Sequence, residues 1–139
     1  MIESISNAID YRISPPVENA ALNALFNAAW GGRGAKDFKA QFQHSLLYIC
    51  AYAWATELVG FVNVAWDGGI HAFLVDTTVH PAWQRCGVGR KLVLHAVAAA
   101  RREGVHWLHV DYEPQYESFY RECGFTPTLA GLIRLAESD

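Results

Sequence analysis

The chain has no basic run: its 11 Lys and Arg are dispersed among 14 Asp and Glu, for a formal charge of −3. That removes the electrostatic footprint nucleic-acid binding requires, while leaving a phosphate-bearing small molecule open. Cysteine is scarce, and Cys50, Cys86 and Cys123 are odd in number, far apart and without a CxxC pair. No disulfide framework or zinc site is expected, and a reducing cytoplasmic setting is. The six histidines contain no HxxxH or HExxH pair, so no metal is expected either. No apolar run reaches membrane-spanning length, and the opening MIESISNAIDYRI lacks the charged-then-apolar pattern of a secretory signal. Internal repeats, low-complexity tracts and long linkers are also missing, which predicts a single domain over 1–139.

What is present is enough apolar material for a proper core: 52% of 139 residues. Residues 10–13 read as a short strand, and Ser14, Pro15 and Pro16 as a helix start. Leu22, Leu25, Phe26 and Ala29 form one helical face that should stop at WGGRG. Phe38, Phe42 and Leu46 suggest a second short helix, running into the β-rich LLYICAYAW. Residues 58–66 and 70–79 read as two strands joined through Asp67, Gly68 and Gly69. Leu92, Val93, Ala96, Val97 and Ala100 mark a helix that Gly104 ends. VHWLHVDY (105–112) is a strand, ESFYREC a short helix closed by Gly124, and GLIRL a last strand. The order is β, α, α, a β meander, then β, α, β, α, β: an α/β chain.

The stretch HPAWQRCGVGRKL carries Gly87 and Gly89 between a strand and a helix. The first N–H groups of a helix lack internal partners and sit at the positive end of its dipole, so anions collect there. Two glycines would let the backbone approach a pyrophosphate, although an ordinary glycine-containing helix start fits the pattern as well. A Walker A loop needs Lys then Ser or Thr after its last glycine, where this chain has Arg90, Lys91 and Leu92. A Rossmann fingerprint wants Gly or Ala where Leu92 stands, and hairpin strands ahead of the turn leave too little chain for a doubly wound sheet.

VHPAWQRCGVGRKL resembles the acetyl-CoA-binding motif of the GNAT superfamily of N-acetyltransferases, with Val79, Pro81, Gln84, Gly87 and Gly89 in its key places. ESFYRECGF resembles that family's later motif, through Tyr120, Gly124 and Phe125. The element order resembles the GNAT fold over nearly the whole chain: a central mixed, mostly antiparallel sheet with splayed parallel strands 4 and 5 and flanking helices. Tyr116 stands where the family often has a small residue, and Glu113 where it often has Asn.

The resemblance implies a mechanism. The pantetheine arm pairs with open backbone near Thr78 and Val79. The turn that Gln84 opens holds the pyrophosphate through amides of Arg85, Cys86, Gly87, Val88, Gly89 and Arg90, while Tyr116 and Phe119 flank the cofactor. An amine then attacks the thioester directly, with no covalent enzyme intermediate. An alkylamine near the lysine reference of about 10.4 is neutral about once in 10³ molecules at pH 7, a cost of roughly 4–5 kcal/mol. Asp76 and Asp111, on the two strands that end at the implied cleft, are therefore candidates for base or amine anchor. Each also has an ordinary structural alternative, a bond to neighbouring backbone or Ser/Thr. VDYEPQYESFYRECGF further resembles the stretch after the fifth strand in glucosamine-phosphate N-acetyltransferases, which favours Asp111. Strict alternation puts Asp76 on the opposite face from Val79 unless a bulge intervenes.

Tyr120 occupies the family's general-acid position for the departing thiolate, with a core tyrosine supporting Phe119 and Phe125 as the structural alternative. Transfer from a tyrosine near 10 to a thiol near 8.5 is uphill by roughly 2 kcal/mol, so hydrogen bonding serves as well as donation. His80 lies nearest the implied cleft. Cys86 reads as a side chain of the phosphate loop rather than a nucleophile, and Trp30 as part of the acceptor loop. The expected activity is acetyl-CoA-dependent acetylation of a primary amine on a small molecule. The alternatives are a protein or peptide amine as acceptor, and an acyl-CoA sensor without turnover. TPTLAGLIRLAESD offers little chain for a full closing hairpin, which points to a homodimer that completes the sheet edge.

Overall fold

The computed structural model describes residues 8–32 and 34–137. The opening MIESISN stretch and Arg33 of WGGRG lie outside the described residues. Among these residues the order is β1 (Ile9–Ile13), α1 (Asn19–Trp30), α2 (Phe38–Phe42), β2 (Ser45–Ala53), β3 (Glu57–Trp66), β4 (His71–Val79), α3 (Val88–Arg102), β5 (Trp107–His109) and α4 (Glu117–Glu122). Short 3-10 turns at Pro81–Trp83 and Pro114–Tyr116 precede α3 and α4.

The strands form one sheet in sequence order, antiparallel from β1 to β4 and parallel between β4 and β5. The β3–β4 turn closes as expected: Asp67 Oδ1 accepts from the Gly69 amide at 2.7 Å, and Gly68 takes φ 82°. Each face of the sheet is covered by helix. On one, Val88, Leu92, Val93 and Ala96 of α3 pack on Ile49, Ala51, Val59, Val62 and Val64. Gly60 permits that approach, because a Cβ there would lie 3.0 Å from Leu92 Cδ1 and 3.1 Å from Val88 Cγ1. On the other, Leu22, Leu25 and Phe26 of α1 and Phe38 of α2 enclose Cys50, Tyr52 and Phe61.

Four boundaries differ from the sequence reading. The first helix starts at Asn19 rather than at Ser14–Pro16. Ser14 is committed to β2, its amide donating to Tyr48 O at 2.7 Å while its hydroxyl accepts from the Tyr48 amide at 3.2 Å. The second helix ends at Phe42, so Leu46 belongs to β2, where strand pairing outweighs the helical spacing. The fifth strand keeps only Trp107–His109 of 105–112, because its parallel partner diverges. GLIRL is not a strand in this structure: residues 125–136 carry no regular structure, and Leu132, Ile133 and Leu135 are exposed.

Candidate active site

β4 and β5 pair over three steps, His71 with Trp107, Ala72 with Leu108 and Phe73 with His109. β4 then continues to Val79 paired to β3 alone, so the two parallel strands part and leave β4 backbone uncovered on that side. In the opened stretch β4 bulges: Val75 pairs with Asn63 and Thr78 with Phe61, leaving Asp76 and Thr77 opposite Val62. Within the bulge Asp76 takes a left-handed φ of 62°. The bulge resets the alternation, placing Val75 and Thr78, three residues apart, on the face covered by α1.

Past Val79 the chain turns into the glycine loop. His80 caps the 3-10 turn, its Nδ1 accepting from the Ala82 amide at 3.0 Å, and Gln84 Nε2 donates to Val79 O at 3.0 Å. Both side chains therefore shape the loop from within. Arg85 and Gly87 adopt φ of 63° and 84°, and Cys86 Sγ lies 3.5 Å from Gln84 O. α3 begins with no side-chain cap, so the leading amides of this 15-residue helix have no protein acceptor supplied by its N-cap. Gly87 is required by its own backbone. Gly89 is not: a Cβ there would stand at ordinary contact, 3.6 Å from Val79 Cγ2 and 3.8 Å from Phe119 Cζ. β4, α3 and α4 meet at that point, and neither packing nor φ calls for glycine at 89.

The α1 side of the opening is tied down by side chains. Trp30, at the end of α1 and 54% exposed, donates from Nε1 to Thr78 Oγ1 at 3.1 Å, and Thr78 donates on to Asp76 O at 2.9 Å. Asn23 grips Lys36 through both main-chain groups, at 2.8 and 2.9 Å. Asn19 Oδ1 accepts from the Phe38 and Lys39 amides. The α1–α2 connection is thereby held over β4, with Lys36 Nζ 3.9 Å from Asp76 Oδ2.

From the other side, Tyr120 of α4 reaches β4. Burial pushes its phenol above the ordinary tyrosine range, a hydrogen bond with Thr77 pulls it down, and Cys123, Asp111 and Tyr116 add to the rise. Its ring stacks on Tyr112 with centroids 4.9 Å apart and meets Phe119 and Phe125 edge-on. The opening thus brings Trp30, Asp76, Thr78, Asp111 and Tyr120 to one region, flanked by Phe119 and the half-exposed Tyr116. Thr77 and Lys36 were missed in the sequence. The bulge that presents Thr77 and the loop that carries Lys36 are both tertiary features, though a polar TT pair in an apolar strand was a usable hint.

Two of the histidines lie elsewhere: His71 Nδ1 and His109 Nε2 are 2.8 Å apart at the paired end of β4 and β5. Among the described residues no three His, Cys, Asp or Glu side chains gather as a metal set. Burial raises the Cys50 thiol to about 12 and lifts that of Cys123, which keeps both protonated.

An α/β sheet whose parallel fourth and fifth strands part beside a glycine loop and an uncapped helix is the GNAT fold. The family model described as acetyltransferase (GNAT) family matches residues 19–125, and the chain belongs to that family. It is 29% identical over 102 residues to the uncharacterized N-acetyltransferase ycf52 of Porphyra purpurea, covering 71% of this chain and 59% of that protein. It is 31% identical over 118 residues to serotonin N-acetyltransferase 2, chloroplastic, of Oryza sativa subsp. japonica, covering 82% of this chain and 59% of that one. The chain thus spans about three-fifths of the length of these curated relatives, 59% in both cases. Among solved structures, an aminoglycoside N-acetyltransferase in complex with CoA superposes with a TM-score of 0.72 at 17% identity, over 94% of this chain and 95% of that one. No helix among the described residues is long and apolar enough to cross a membrane.

Proposed function

We propose that the protein is an acetyl-CoA-dependent N-acetyltransferase that transfers the acetyl group to a primary amine of a small molecule. The observation that carries this reading is the joint geometry of the parted β4–β5 strands and the uncapped glycine loop at the end of β4. The residues fit the co-substrate. Gly89 is glycine where the protein's own packing has no need of one, which suits a backbone approached by a pyrophosphate. Amides of Arg85, Cys86, Gly87, Val88, Gly89 and Arg90 hold the phosphates, with Gln84 bracing the loop. Backbone at Thr78 and Val79 pairs with the pantetheine arm, and Phe119 and Tyr116 wall it in.

The acceptor enters over Trp30. Its nitrogen attacks the thioester carbon, the C–S bond breaks, and the ammonium proton leaves through Asp111 or water. Asp111 is the better placed carboxylate, because it acts electrostatically on Tyr120 whereas Asp76 faces Lys36. Tyr120 hydrogen-bonds or protonates the departing thiolate, and its raised pKa weights that role toward the hydrogen bond. A small-molecule acceptor is supported by the names of the rice relative and the aminoglycoside enzyme, both of which state small amines. The reading further includes a reducing, cytoplasmic setting, in keeping with three free cysteines, and a homodimer.

Calorimetry tests the loop. The parent should bind acetyl-CoA, and Gly89→Val should lose about tenfold or more in affinity, equivalent to ~1.4 kcal/mol, while remaining folded. Equal binding by the two would remove the pyrophosphate assignment.

A further inference from the structure

The bulge in β4 decides which way its two threonines face. Strict alternation from Val75 would put Thr77 toward α1 and Thr78 on the opposite side, and the extra residue reverses both. Thr78 therefore turns to α1, where it is buried, accepts from Trp30 Nε1 at 3.1 Å and donates to Asp76 O at 2.9 Å. Thr77 turns to the other face, half-buried, and meets Tyr120 of α4. Each wall of the opening is thus tied to β4 by one of two adjacent hydroxyls. Burial raises the Tyr120 phenol, Cys123, Asp111 and Tyr116 add to the rise, and Tyr112 stacks on the ring; Thr77 works the other way. A hydroxyl that eases the ionisation of a phenol does so by donating to its oxygen. Thr77 is then the donor and Tyr120 the acceptor, which leaves the Tyr120 proton uncommitted to that bond.

We propose that Thr77 is a positioning residue for acetyl transfer: its hydroxyl donates to the Tyr120 oxygen and aims the Tyr120 O–H at the sulfur of the departing CoA. This rests on the reading of Tyr120 as the group that meets the thiolate, and it names what holds that group in place. Packing alone does not do so. The stack on Tyr112 and the edge contacts with Phe119 and Phe125 fix the plane of the ring, whereas the direction of an O–H is set by what its oxygen accepts. The strand itself has no need of a hydroxyl at this position, because Val is branched in the same way and favours strand as well.

Calorimetry with two probes tests the role without an acceptor. Free CoA at pH about 9 has its thiol, near 8.5 when unperturbed, mostly ionised, whereas acetyl-CoA carries no thiolate. Thr77→Val should weaken CoA binding about three- to tenfold, the worth of one oriented hydrogen bond, and leave acetyl-CoA binding unchanged. Thr77→Ser should keep the parental affinity for both. In a Tyr120→Phe background Thr77→Val should cost nothing further, because the bond it removes is already gone. Melting temperature separates folding from binding, and Thr77→Ala repeats the measurement should Val disturb the strand. Weaker CoA binding in Tyr120→Phe with parental binding in Thr77→Val would overturn the positioning role and leave that of Tyr120 standing. An equal Thr77→Val loss in both backgrounds, or toward both probes, would overturn it too. Parental CoA affinity in Tyr120→Phe would instead remove the thiolate contact, and a parent that binds neither probe would remove the acetyl-CoA reading; the positioning role falls with either.

Discussion

The proposed reaction rests much of its chemistry on one hydroxyl, that of Tyr120. The Phe substitution keeps the ring stack on Tyr112 and the edge contacts to Phe119 and Phe125, and deletes only the hydroxyl that bonds to Thr77 and is proposed to meet the thiolate. Tyr120→Phe should bind acetyl-CoA as the parent does and lose about 10²- to 10⁴-fold in kcat, the range for a positioned proton donor. Unchanged kcat with chemistry rate-limiting would exclude the role. Because burial raises its pKa, Tyr120 stays protonated beyond the ordinary tyrosine range, so an alkaline loss of kcat due to it belongs above that range. The aspartates separate by pH. Asp111→Asn should lose most activity at low pH, where neutral amine is scarcest, and recover partly as pH rises. Asp76→Asn should mainly disturb the Lys36 contact and leave the profile shape alone; a flat response in both would take carboxylates off the proton path. At this scale the sequence made Gly87, Gly89 and Tyr120 legible because motif spacing depends on local backbone. The Trp30–Thr78 bond joins residues 48 apart and had no local sign.

Among the elements, α3 is the one that both roofs the sheet and presents the loop, so its seat on β3 should be intolerant of change. Gly60→Val would force a branched side chain against Leu92 and Val88, where even a Cβ stands at 3.0–3.1 Å. Overpacking of this sort costs about 1–3 kcal/mol, measurable by urea denaturation; an unshifted midpoint would contradict the close α3–β3 approach. The long helices and the β2–β4 meander were readable from periodicity. The Ser14–Pro16 start misled because Ser14 caps nothing and instead fastens to Tyr48. GLIRL misled for a different reason: its alternation is that of a strand, but a strand forms only by pairing, and residues 125–136 carry no ladder partner in this structure. The sequence made the face of Asp76 relative to Val79 conditional on a bulge, and the structure contains a bulge there.

The whole molecule carries buried titratable groups whose folded-state shifts set its pH range. Burial raises Tyr11 from 10.0 to about 12 and Cys50 from 9.0 to about 12. The folded state therefore holds protons that the unfolded chain releases first, and stability is lost as pH climbs from about 9 toward 12. His95, stacked on Tyr11, is shifted the other way by burial and then by Lys91 and Arg102. Its stabilising contribution is present above about 6.5 and is lost as pH falls below that. Unfolding free energy should thus plateau between about 7 and 9 and decline on both sides. A value that stays level well past the alkaline end of that window would contradict the burial assigned to Tyr11 and Cys50.

The central claim is that the parted strands and glycine loop serve acetyl transfer to a small amine. Free-thiol release from acetyl-CoA across a pool of primary amines, with mass spectrometry of the pool, tests it most directly. Amine-dependent thiol release with one acceptor gaining a single acetyl group is the predicted result. Tight acetyl-CoA binding with no thiol release for any amine in the pool would contradict it and leave a sensor of acyl-CoA in its place.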